Sequence, residues 1–590
     1  MRTLKSKDRS RLIKAAMGQL PCDLTVSNVK YLNMFTGEIY PAEVDVLDGF
    51  VVRVREEGVQ APAASKETYD GKGAYLIPGF IDAHMHVEST MMIPENVSRG
   101  IVPWGTTTIC TDPHEIGNVM GVEGVRFMLE NAKKSALRQY VLAPSCVPAV
   151  PGRESAGAAF TAKEVGTILD MDDVVGVAEV MDYVGVVTDN ERMHSIVEEG
   201  LKRDLLIQAH APFVTGDMLN AYRIGGPLSD HESTCAAEVR EKLRAGMYVD
   251  LRASSIVDGL AFLVDGCRDH YWKDHVAICT DDVHASDLLT VGHINKVVKK
   301  TIAAGIDPRD AIKMATYNAA REYGFDDLGA LAPGYIADMQ LVRELDGGKP
   351  EAVFIEGKLV AENGCYLAGD TLTEAPCLPN TVTIPQLNST GDFVMRVPEG
   401  YTGSTIMVNV MTVSPASPIL RMVVPTELPV KDGAVDISGD PSLTFVCCAN
   451  RYGTGSKTIA VYRDFGLLKG AFASTVSHDS HNLTIVYRDP AEALLAAKTL
   501  KSVGGGILVA EGEKETHVAL PAAGLMSYKP CAGVAEEINA LQKVIDEVSA
   551  GRLTVLASAI LALPVLPGVV ITDMGLVDGT NQSFVPVFAL

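Results

Sequence analysis

Two histidines one residue apart, His84 and His86, follow an apolar run and a Pro-Gly turn in the segment 76–90. In extended chain, residues i and i+2 project to the same side, so both imidazoles can reach one point just past a strand end. That is a way to hold a metal. Imidazole suits Zn, Mn, Fe or Ni, but two ligands do not close a site, and further His or carboxylate ligands must arrive from elsewhere. Residues of those types recur downstream, each just past an apolar run: Asp112, His114 and Glu115; Glu179 and Asp182; His210; His231 and Glu232; Asp281 and Asp282. Ser145 with Cys146, and Arg252, hold equivalent places. Glu88 and Ser89 face the same mouth from the first of these segments.

The runs themselves lie at 76–80, 106–110, 140–144, 174–178, 205–209, 226–230, 247–251 and 276–280. Eight strand–helix units in about 250 residues predict a (β/α)8 barrel, in which side chains at the C-terminal strand ends converge on one site. The expected class is therefore α/β, with the barrel spanning 76–330. Around it, residues 1–75 read as a short basic helix and strands joined by an Asp48-Gly49 turn, and 331–375 as further strands with a Glu356-Gly357 turn. One β-sandwich built from both flanks, with the barrel inserted, is the expectation. Residues 376–590 read as a separate α+β domain. Its glycine-rich stretches at 453–457 and 504–506 lack the spacing of a phosphate loop and are expected to be turns. Its cluster His478, Asp479 and His481 is suited to capping the barrel mouth, contacting substrate or binding an extra metal.

A net charge of −23 disfavours nucleic acid as a partner, since no basic stripe offsets it. No window is long and apolar enough to span a membrane, and residues 1–20 lack the apolar core of a signal peptide. Eleven cysteines, scattered and never in Cys-x-x-Cys, argue against a disulfide framework and for a reducing cytoplasm. A homo-oligomer, a dimer, is expected.

The motif Pro78-Gly-Phe-Ile-Asp-Ala-His84-Met-His86, followed in order by Glu179, His210, His231 and Thr280-Asp281-Asp282, resembles the amidohydrolase superfamily of metal-dependent hydrolases. The stretch 329–338 is similar to the end of that superfamily's composite sandwich. Within it, the segments 82–92, 111–121, 145–148, 178–183 and 279–282 are similar to the adenine deaminase family, and 473–482 and 520–527 to that family's C-terminal domain. This resemblance implies hydrolysis of adenine to hypoxanthine and ammonia in purine salvage. The alternatives are a cyclic-amide hydrolase of the dihydroorotase or hydantoinase kind and a non-catalytic barrel scaffold; a scaffold would not need the full ligand set.

The resemblance also implies two divalent metals, manganese or iron, with zinc compatible. His84 and His86 would hold one and His210 and His231 the other. Glu179 would bridge them where many relatives use a carboxylated lysine. Such metals lower the pKa of bound water and so supply a nucleophile at neutral pH. Asp281 would ligate the first metal and carry a proton to the ring nitrogen and the leaving amine, with His231 and Glu115 also in the catalytic set. Asp112, His114, Asp282, His478 and Asp479 are expected to contact the base. Arg252 is expected to balance acidic strand ends, because adenine carries no anionic group.

Overall fold

The computed structural model describes residues 6–60, 64–255, 259–268, 271–368, 377–415 and 417–589. The expected boundary between 375 and 376, and residues 1–5, lie outside the described residues.

Short runs rich in Val, Ile, Ala and Thr form eight parallel strands in sequence order: Phe80–Met85, Thr106–Thr111, Arg138–Ala143, Val174–Val180, Leu206–Ala209, Ser229–Asp230, Tyr248–Arg252 and Val276–Cys279. Most of their residues are buried, as expected where helices cover one face and the barrel interior the other. The first strand differs from its expected position. Tyr75–Pro78 pairs with the flanking sheet, and the barrel strand begins only at Phe80. Gly79 separates them, and a Cβ there would collide with the Thr107 side chain.

The last strand meets the first through a bridge between Met85 and Asp281, where the Asp281 amide donates to His84 O (3.0 Å) and the His86 amide to Asp281 O (3.2 Å). Barrel closure and the gathering of three candidate ligands are thus the same hydrogen bonds. Asp82 reinforces this seam from below. Its carboxylate accepts from the Thr280 amide (3.1 Å) and hydroxyl (2.5 Å) and lies 3.1 Å from His293 Nε2.

The flanks combine into one nine-stranded sheet, joined where Tyr75–Pro78 runs antiparallel to Met339–Val342. Tyr69 and Phe354, on strands that are not neighbours, meet edge to face at 5.2 Å, so the sheet closes on itself in two layers around an apolar core. Both expected hairpin turns are present. Asp48 and Gly49 have φ of 53° and 84°, and Glu356 and Gly357 51° and 72°, the consecutive left-handed pair that a tight hairpin requires.

The C-terminal residues form a second nine-stranded sheet, the helices Pro490–Val503 and Cys531–Ser549, and a three-stranded sheet ending at Val585. Of the glycine stretches expected as turns, 453–456 is an irregular bend and 504–505 the turn that ends Pro490–Val503, while Lys457 and Gly506 already begin strands. This region is built onto the barrel. The Ile93 and Ser527 amides bond across to Ser527 O and Met91 O, Asn96 Nδ2 donates to Tyr528 O and Lys529 O, and Leu563, Val565 and Leu566 share a core with Val147, Val180 and Met181.

Replacing Asp82 by alanine leaves the Thr280 groups and His293 buried without their acceptor, a loss of about 3 kcal/mol. A lowered urea midpoint is expected; an unchanged midpoint would show that closure does not depend on this carboxylate.

Candidate active site

The C-terminal end of the first barrel strand, with His84 in the strand and His86 just past it, presents the two Nε2 atoms 3.2 Å apart. Their other nitrogens are engaged, His84 Nδ1 with Gln208 Oε1 (2.9 Å) and His86 Nδ1 with Asp112 O (3.0 Å). Each Nδ1 therefore carries a proton and directs Nε2 toward the cluster. Complete burial, aided by His231 and His86, pushes His84 well below the usual histidine range, so it is neutral and ligand-ready.

Glu179 divides its two oxygens between two groups of histidines. Oε1 lies 3.3 Å from His86 Nε2 and 3.9 Å from His84 Nε2, whereas Oε2 lies 2.5 Å from His210 Nδ1 and 3.4 Å from His231 Nε2. Burial alone would raise this carboxyl; the His210 and His231 rings overcome it and hold Glu179 well below the carboxylate range. The His231 ring also stacks on His84 at 3.9 Å, touching both halves of the cluster. Asp230 sets the second half. Its Oδ1 accepts from the amide after His210, and its Oδ2 meets buried Lys242 at 2.6 Å, which ties the ends of the fifth and sixth strands together.

Asp281 completes the cluster with Oδ1 at 3.2 Å from His86 Nε2 and Oδ2 accepting from Arg252 (2.6 Å). Burial would raise it, but Arg252 and His86 keep it well below the usual range. Arg252 also grips both oxygens of Glu232, so its charge is fully engaged. The donor set fits divalent metals. Glu179, His210 and His231 converge within ligand reach, as do His84, His231 and Asp281. His210 Nε2 and both ring nitrogens of His231 are buried without a hydrogen-bond partner, which a cation would remedy.

A cavity opens over this cluster. His86, Glu179, His210, Asp281 and Asp282 line its floor and sides, and His478 and Asp479 line it from the C-terminal domain together with Ile560, Leu563 and Leu566. The roof is anchored where the His478 amide donates to Ala559 O (2.8 Å).

An amidohydrolase family model matches residues 75–360 and an adenine deaminase C-terminal domain model matches residues 419–583. Adenine deaminase 2 of Carboxydothermus hydrogenoformans is 38% identical over 581 residues, covering 98% of this chain and 99% of that one. The chain belongs to the adenine deaminase family. The adenine deaminase of Bacillus pumilus is 36% identical, with 98% of both chains covered. Among solved structures, a β-aspartyl dipeptidase of Fervidobacterium islandicum covers 59% of this chain and 98% of its own at 18% identity, with a TM-score of 0.45.

In this adenine deaminase family member the residues expected from sequence fall into three groups. His84, His86, Glu179, His210, His231 and Asp281 come together at the cluster. His114, Asp282, His478 and Asp479 line the cavity beside it. Asp112 and Glu115 stand one step back, each against a lining histidine: Asp112 Oδ2 lies 3.0 Å from His114 Nδ1, and Glu115 Oε1 lies 3.1 Å from His478 Nδ1. Glu115 braces His478: burial would lower this imidazole, but Glu115, with Asp282 and Asp479, raises its pKa to about 9. His481 lies behind, 4.0 Å from Glu115. Ser145 and Cys146 serve the backbone, the Ser145 hydroxyl donating to Glu179 O (2.7 Å) and Cys146 Sγ accepting the Asp182 amide. Ser89 donates to Asp282 (2.5 Å). Met181, Ser254, Ile560, Leu563 and Leu566 were not anticipated. The run Leu561-Ala-Leu-Pro-Val-Leu-Pro567, too proline-rich for a helix or central strand, was the available signal for part of them.

Because one carboxylate faces both histidine pairs, Glu179→Ala should empty both halves of the centre, while His210→Ala should lower the metal content by about one half. Metal analysis of the purified variants checks this; equal stoichiometry in Glu179→Ala and parent would refute the shared ligand.

Proposed function

We propose that this chain hydrolyses adenine to hypoxanthine and ammonia at a centre of two divalent metals. His84, His86 and Asp281 would hold one, His210 and His231 the other, with Glu179 common to both. Bound there, the metals would acidify water and so supply a nucleophile at neutral pH. The observation that carries the reaction is the match to adenine deaminases along nearly the whole chain, C-terminal domain included.

The chain's own residues suit the remaining steps. Asp281 is ionised and fixed, with one oxygen held by Arg252 and the other facing the imidazoles, so it is poised to accept a proton at Oδ1 and return it to the base. The apolar roof from Ile560, Leu563 and Leu566 limits water around a flat ring. Arg252 and His478, which line the cavity, are each paired with a carboxylate. That suits a neutral base better than dihydroorotate, whose carboxylate needs a free cation. Manganese or iron is the proposed metal on the strength of the family resemblance, and the oxygen and imidazole donors, which include no thiolate, accept either as well as zinc.

No helix among the described residues is long and apolar enough to cross a membrane. All eleven cysteines are unbridged, which supports a cytoplasmic setting.

Ammonia release from adenine, compared with ring opening of dihydroorotate and hydantoin, tests the reaction. Asp281→Asn should retain part of its metal yet lose kcat by roughly 1,000-fold, because an amide neither accepts nor returns the proton. A loss confined to KM would assign the proton to another group.

A further inference from the structure

Asp479 reaches the cavity from the C-terminal domain and is 2% exposed. Its two oxygens are not equivalent. Oδ1 lies 3.3 Å from His114 Nε2, and His114 is itself fixed at Nδ1 by Asp112 Oδ2 (3.0 Å), while Asp112 Oδ1 accepts the His114 amide (3.0 Å). The Asp–His–Asp chain therefore locks the orientation of Asp479. Oδ2 is buried and has no hydrogen-bond partner. A buried carboxylate oxygen left without a donor is costly, and an ionised carboxylate can only accept.

Adenine offers two kinds of donor to such an oxygen, the exocyclic amine and the N–H of the imidazole ring. The amine must face the metal cluster, where it leaves. His114 Nδ1 stands 3.4 Å from Glu179 Oε1, so a single imidazole separates Asp479 from the centre of that cluster, a span that suits the breadth of a purine held with C6 over the metals. We infer that Asp479 accepts the imidazole-ring N–H of free adenine and so selects the free base over purines that lack that hydrogen, nucleosides among them. The inference rests on the adenine-deaminating reading of the site and names what its C-terminal wall recognises.

The test compares kcat/KM for adenine and for its oxazolopyrimidine analogue, in which ring oxygen replaces N9–H at nearly unchanged size. Parent, Asp479→Asn and Asp479→Ala are each measured with metal content determined. A charge-assisted hydrogen bond is worth about 10- to 100-fold. The parent should prefer adenine, and Asp479→Ala should lose up to about 100-fold on adenine with its metals retained and little change on the analogue, so that the preference collapses; Asp479→Asn should fall between. Comparing ratios between proteins cancels the intrinsic reactivity of the two rings. An adenine-to-analogue ratio that is the same in parent and Asp479→Ala would overturn the assignment while leaving the reaction intact. A metal-loaded parent that releases no ammonia from adenine would overturn the reaction itself, and the inference with it.

Discussion

The Glu179 carboxylate, buried and ionised between two pairs of imidazoles, is the constraint to which the rest of the barrel answers. A bare buried anion is costly, and here its cost is offset by surrounding it with histidines from three other strand ends. Each of those histidines is oriented in turn: His84 by Gln208 and His86 by the Asp112 carbonyl, while Asp230 binds the amide beside His210 and precedes His231. The His84, His86 and Asp281 side chains are each fixed at a second point, whereas His210 and His231 are placed through the strand ends that Asp230 and Lys242 tie together.

The same economy governs the barrel seam and the roof. Hydrogen bonds that close the last strand onto the first also bring Asp281 to the two leading histidines, and Asp82 locks that seam from beneath. The C-terminal domain adds what short strand-end loops cannot supply. It gives apolar side chains that exclude water, and the pair His478 and Asp479, each held by a barrel group, Glu115 and His114 respectively. The roof is thus keyed to the floor by charge, and its position is part of the site's geometry.

Much of this is legible in the sequence because the chemistry of the floor obeys local rules. A His-x-His pair past an apolar run, and single His, Glu or Asp residues past later runs, declare themselves once eight strand–helix units are counted. The division at Gly79 is less legible, since 75–85 is nearly continuous in apolar character and only strand pairing shows where one sheet ends and the barrel begins. The wall residues Ile560, Leu563 and Leu566 are harder still. They are ordinary apolar side chains brought to the mouth across some 300 residues of chain, and apart from the proline-rich run at 561–567 neither periodicity nor residue type distinguishes them from core. The ranks within the polar set are also invisible in sequence: nothing in Asp112-Pro-His-Glu115 says that His114 lines the cavity while its acidic neighbours brace histidines from behind.

The arrangement makes one demand that diffraction can meet directly. Anomalous scattering from crystals of the metal-loaded protein, recorded at the edge of the bound element, should give two peaks, one beside His84 and His86 and the other beside His210 and His231, with Glu179 between them. A single peak, or two peaks that leave Glu179 outside, would contradict it.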